Sequence, residues 1–170
     1  VDLLGPASEV QAELMGIPSF ETPDYSELFA EEKEMIGKLK KAFLMVAGGA
    51  VQKYGPDLDG HQQLLMAAAD ILIEIYMAES TILRTEKLAK TKGEAAVKEQ
   101  IAMAQLYLYK AVDIITQKGK EGIVSFAEGD EQRMMLMGLR RYTKYTNMPN
   151  VIGLREIITS KLVAENAYCF

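Results

Sequence analysis

The sequence predicts an all-α fold: an up-down antiparallel helical bundle of three long helices plus two shorter C-terminal helices, preceded by an extended acidic N-terminal arm. Three observations predict it. Ala, Leu, Met, Glu and Lys are abundant, Trp is absent and there are only five Pro; straight-chain side chains lose little rotamer freedom in a helix. Apolar residues recur at steps of three and four along runs of about 30 residues, the spacing of one helix face. The breaks between those runs, GPDLDG and TKG, are so short that consecutive helices must lie antiparallel.

Residues 1–25 read as a linker or arm with one short helix, and residues 26–170 as the bundle. Pro6 suits the first turn of a helix reaching about Leu14, and Gly16 with Pro18 ends it. SFETPDY follows as linker, and Asp24 with Glu27 three residues later makes a capping pair for the first long helix. That helix lines one face with Phe29, Ile36, Leu39, Phe43, Val46 and Ala50, and Gly55-Pro56 stops it near Tyr54 because proline cannot continue the backbone ladder. The second runs from about His61 to Lys90, with Asp57 or Asp59 as cap and Gly93 as terminator. The third carries Val97, Ile101, Ala104, Leu108, Ala111 and Ile115; Gly119 and Gly122 weaken it, so a kink or fraying is expected before Phe126. Asp130 caps a shorter helix through Tyr145, and Asn150 caps a last one to about Asn166, the two completing the fourth side. There is no internal repeat and no low-complexity segment.

With 170 residues and 49% hydrophobic content, the chain is long enough for one core and has no obvious point of division. One cysteine, Cys169, excludes an intramolecular disulfide and a thiolate-rich zinc site, and fits a reducing cytoplasm. No signal-peptide pattern and no apolar run long enough to span a bilayer is seen, so a soluble cytoplasmic protein is expected. Net charge is −5, distributed unevenly: nine acids and one base between Val1 and Glu34 give −8, leaving +3 for the rest. The absence of a basic stripe argues against nucleic acid as partner. Val1 is not a natural start residue, which reads as a chain excised from something longer, or as a cloning or processing scar.

The second long helix holds the most informative residues. Leu65, Ala68, Leu72, Ile75, Glu79, Ile82 and Glu86 recur at seam spacing, which predicts that two carboxylates face inward. Such a group is either paired or raised in pKa and available for acid-base work. The structural reading is a pair with Lys, Arg or Tyr on a neighbouring helix, fixing the register of helices that would otherwise slide. The sequence argues against a ferritin-like di-iron site, which needs two Glu-x-x-His elements, whereas His61, the one histidine, has Leu58 three residues before it. His61 reads as a solvent-facing residue at the start of its helix. Ala47, Gly48, Gly49 and Ala50 form a small-residue patch whose cost in helix propensity must be offset by close helix crossing, or by an acyl chain or partner subunit seated there. Met134, Met135, Met137 and Met148, with Tyr142 and Tyr145, read as core packing or as an adaptable docking surface. Arg140, Arg141 and Lys144 read as a solvated basic face, with weak contact to anionic headgroups or to the acidic arm as the alternative.

The segment LLMAAADILIEIYMAESTILRTEKL, from Leu64 to Leu88, taken with LLGPASEVQAELMGIP and EKEMIGKLKKAFLMVAGGAVQKYG, resembles the extra C-terminal helical domain of large bacterial acyl-CoA dehydrogenases of the very-long-chain type. The resemblance implies a non-catalytic accessory domain that stabilises the core or subunit interface of an FAD-dependent enzyme of fatty-acid β-oxidation. In that family the flavin, the acyl-CoA pocket and the glutamate base lie in upstream domains. None of those motifs occurs here, so no catalytic, cofactor-binding or metal-ligating residue is carried over and FAD is expected only in the parent protein. The implied partners are the flavoprotein core of the same polypeptide and, through it, a homo-oligomer. A free-standing helical module that binds an acyl chain or a protein is the alternative.

Overall fold

The computed structural model describes residues 3–16 and 25–169. Among the described residues six α-helices follow one another: α1 (Leu4–Met15), α2 (Ala30–Tyr54), α3 (Gln62–Lys92), α4 (Lys98–Phe126), α5 (Gly129–Tyr142) and α6 (Val151–Glu165), with 3₁₀ segments at Gly55–Gly60 and Glu94–Val97. No strand occurs among the described residues. The all-α bundle of three long helices and two shorter C-terminal ones is as expected. α2, α3 and α4 pack against one another around a core whose most enclosed side chains include Leu39, Met45, Ile71, Ile82, Leu108 and Ile115. α5 crosses α2 and α4 and closes the bundle, whereas α6 packs mainly on α4 and buries none of its residues.

The helix expected within the acidic arm is α1, and it is held on the bundle. Val10 belongs to the core, Ala7 is buried against Gly48 of α2, and Glu13 pairs with Lys41 at 2.6 Å. Where α2 begins differs from the sequence reading. Asp24, half of the expected capping pair, lies outside the described residues, and the helix starts at Ala30 behind Phe29, a buried residue at φ 63° with no side-chain cap. A left-handed aromatic residue is uncommon. Burial of its ring supplies a physical reason for the conformation, and its carbonyl accepts from Lys33 N at 2.9 Å.

Neither Asp57 nor Asp59 caps α3. GPDLDG winds into its own 3₁₀ turn, so the capping position passes to His61, whose carbonyl accepts from Leu64 N and Leu65 N. Gly93 (φ 84°) does end α3. The fraying expected near the end of α4 is also absent, for the helix is continuous to Phe126. Its glycines make room: a methyl on Gly119 would lie 2.7 Å from Leu139 of α5, and one on Gly122 3.0 Å from Val46 of α2. α5 starts at Gly129 (φ 58°) with no side-chain cap from Asp130, and ends at Tyr142, three residues early. The cap expected on α6 is present, Asn150 Oδ1 accepting from Gly153 N at 3.1 Å.

Candidate functional site

α3 carries the carboxylates that the sequence marked, but its buried stripe is Leu64, Ala67, Ile71, Ile75, Ala78, Ile82, Thr85 and Ala89. The expected stripe shares only Ile75 and Ile82 with it, and Leu72 is exposed. A helix turns 100° per residue, so reading the face one position late carries Glu79 and Glu86 from the seam to its edge. There they meet α2. Lys33 Nζ donates to Glu86 Oε1 at 2.9 Å, with Lys90 at 3.1 Å on the same oxygen, and Lys40 Nζ donates to Glu79 at 2.6 Å.

Both carboxylates therefore have the structural role: they are paired with lysines of the neighbouring helix, and the spacing of Lys33 and Lys40 matches that of Glu79 and Glu86 in the opposite direction. The two pairs thus bridge antiparallel helices at matching intervals. The Lys33 hydrogen bond, followed by that of Lys90, holds the Glu86 carboxyl below its ordinary range. A group so held is a poor proton donor or acceptor near neutrality.

The opposite edge of α3 meets α4. Tyr107 donates to Glu74 Oε2 at 2.9 Å, and Lys118 lies 3.3 Å from both Asp70 and Glu121. Burial, then the hydrogen bond to Glu74, pushes the Tyr107 hydroxyl up to about 12. Sequence reasoning missed Glu99, a buried carboxylate in the first turn of α4 that Lys161 of α6 approaches to 3.6 Å. An acid in a first helical turn ordinarily complements the helix dipole at the surface, and nothing local marks this one as covered.

The Ala47–Ala50 patch is a closed crossing. Ala7 of α1 abuts Gly48, while Met135 of α5 and Phe126 of α4 would stand 2.9 Å from a methyl on Gly49, so neither acyl chain nor second subunit has space there. The methionines divide: Met135 is buried among the core residues, whereas Met137 and Met148 are largely exposed. Tyr142 is buried and its hydroxyl lacks a hydrogen-bond partner, as does that of Tyr145, which stacks near Tyr109 with centroids 6.3 Å apart. Burial raises both hydroxyls above their ordinary range. Arg140, Arg141 and Lys144 are exposed. His61 is half-buried, stacked on Tyr54 at 3.5 Å, rather than simply solvent-facing.

Between α4 and α5 lies an open groove of about 390 Å³, floored by Val124, Leu136, Met137 and Leu139 with Lys120 and Arg140 beside them. Among the described residues no three His, Cys, Asp or Glu side chains come together to hold a metal ion, and no helix is long and apolar enough to cross a membrane. Cys169 is a free, half-buried thiol.

Residues 38–141, which comprise most of α2, all of α3 and α4 and nearly all of α5, match the family model for the acyl-CoA dehydrogenase C-terminal domain. A probable acyl-CoA dehydrogenase of Bacillus subtilis is 35% identical over 159 residues, 94% of this chain but 26% of that protein. The crystal structure of an acyl-CoA dehydrogenase complexed with FAD from Bacillus anthracis superimposes on all of this chain with a TM-score of 0.90 and 37% identity, across 28% of its own length. The chain thus spans about a quarter of each of these relatives. By fold, by sequence and by the family model alike, it belongs to the acyl-CoA dehydrogenase family, as a C-terminal domain.

Proposed function

We propose that this chain serves as the non-catalytic accessory domain of a cytoplasmic, FAD-dependent acyl-CoA dehydrogenase of fatty-acid oxidation, steadying the flavoprotein core or the interface between its subunits. The observation that carries the reading is the match of the whole bundle, at a TM-score of 0.90, to little more than a quarter of an FAD-complexed enzyme. The chemistry of the bundle supports it. Its two marked carboxylates are occupied in joining α2 to α3, and its small-residue patch is filled by neighbouring helices. On this reading the flavin, the thioester and the catalytic base belong to the remainder of the parent polypeptide, and what this domain supplies is rigidity and surface.

The test is spectroscopic. A full-length polypeptide carrying this domain should be yellow, and its flavin band should bleach when an acyl-CoA substrate is added; residues 1–170 alone should be helical by circular dichroism and colourless. Stoichiometric flavin retained by the 170-residue chain would contradict the reading.

A second reading draws on the α4–α5 groove, whose apolar floor and two flanking cations have the chemistry to take a fatty acyl chain with an anionic head. It predicts that a long-chain acyl-CoA raises the melting temperature of this chain while free coenzyme A does not. Equal shifts, or none, would remove it.

A further inference from the structure

α3 is apolar on two sides. Opposite its buried stripe it presents Met66, Leu72, Ile73, Tyr76, Met77 and Leu83 to solvent, each between 44% and 67% exposed. These side chains form an ordered face: Met66, Ala69, Ile73, Tyr76, Ser80 and Leu83 fall at alternating steps of three and four, the seam of a helix that packs on another helix. Leu72 and Met77 broaden the seam to either side, and the exposed Arg84 and Lys87 bound it at one end.

The face is large for an unoccupied surface. Six large apolar side chains, each about half exposed, present on the order of 600 Å² of apolar area, the upper end of what the largest patch on a monomer measures. It is also more than the roughly 450 Å² that the apolar share of one side of a standard interface would supply. Nothing within α3 requires it, because the opposite stripe alone anchors the helix in the core.

The length of the relatives bears on what covers it. They carry about three quarters of their chain beyond the part matched here. A surface tethered in the same polypeptide competes for an apolar face at an effective concentration in the millimolar range, which a free second copy does not reach. We infer that the outward face of α3 is the seat on the flavoprotein core: its occupant is an apolar, helical surface of the remaining polypeptide, with carboxylates placed to meet Arg84 and Lys87. This rests on the accessory-domain reading and adds to it which face docks.

The experiment uses the full-length polypeptide carrying this domain, with a photo-crosslinking amino acid placed singly at Ile73, at Met137 on α5 or at Ile152 on α6, and the crosslinked peptides identified by mass spectrometry. Crosslinks from Ile73 to segments upstream of this domain are expected. Crosslinks from Ile73 only to this domain in a second copy would overturn the inference in favour of self-association. Upstream crosslinks from Met137 or Ile152 with none from Ile73 would overturn it while leaving the accessory reading intact, and no upstream crosslink from any of the three positions would sink both.

A double variant, Ile73→Glu with Tyr76→Glu, supplies an independent readout. Both positions are exposed, so the bundle itself should fold, and limited proteolysis should release the domain from the full-length protein at least tenfold faster than from the parent. An unchanged rate would count against the inference as firmly as silent crosslinks.

Discussion

Ile71 and Ile73 are the same residue type two positions apart on one helix, and they occupy opposite environments: Ile71 is 0% exposed in the core and Ile73 is 56% exposed on the outward face. The contrast shows that apolar character in α3 does two separate jobs. One stripe holds the bundle together, while the other adds little to this domain taken alone. Position on the helix, not hydrophobicity, decides which job a residue does.

Substitutions can sharpen or break that contrast. The largest effect is expected for Ile71→Ala, which removes fully enclosed methyl and methylene groups and should destabilise the domain by about 2–5 kcal/mol, read from the urea midpoint. A loss below 1 kcal/mol would mean that the inward stripe is not the one holding α3. Next is Gly48→Leu at the crossing of α1 and α2, where Ala7 already fills the space a side chain would need. Overpacking should cost about 1–3 kcal/mol and lift α1 away, so that hydrogen exchange speeds up at Ala7 and Val10 while α4 keeps its protection. Unchanged exchange in α1 would show that this contact is not what holds it.

Smaller still is Glu86→Gln, expected to cost about 0.5–1 kcal/mol at neutral pH, since its partners Lys33 and Lys90 are 39% and 76% exposed and solvent screens the pair. Its pH dependence has a definite sign. Because Lys33 and Lys90 lower the folded-state value, the contribution is complete above the unfolded carboxylate value of 4.5 and is lost as pH falls through the lowered one. The Gln variant should therefore lose less stability than the wild type between pH 5 and the acid end of the titration; parallel curves would refute the pairing. The smallest effect is expected for Ile73→Ala in this chain alone, within about 0.5 kcal/mol, because an exposed side chain has few neighbours to lose. A loss approaching that of Ile71→Ala would erase the contrast.

Much of the fold was legible. Gly55-Pro56 and Gly93 mark real helix ends, Asn150 is a real cap, and the steps of three and four in α4 fall on buried Ala104, Leu108, Ala111 and Ile115. The phase of α3 was not, for the reason the two isoleucines illustrate: with apolar residues on opposite sides, the repeat admits more than one stripe, and one of them runs through Leu72 and the glutamates. That the two glutamates would find cations on a neighbouring helix was predictable; that the cations would be Lys33 and Lys40 needed the geometry. Gly119 and Gly122 misled because propensity registers the cost of a glycine but not the Leu139 or Val46 that occupies the space it leaves. Glu99 and the left-handed Phe29 were invisible since both depend on distant contacts.

α6 is held mainly along α4, with no buried residue of its own and with Lys161 reaching Glu99. A helix that buries none of its own side chains gives up less on detaching than the long helices do, so its opening free energy is expected to lie below that of global unfolding. The lifetime of the folded domain in the presence of a protease would then be set at this end, by brief detachments of α6 that leave the three long helices in place.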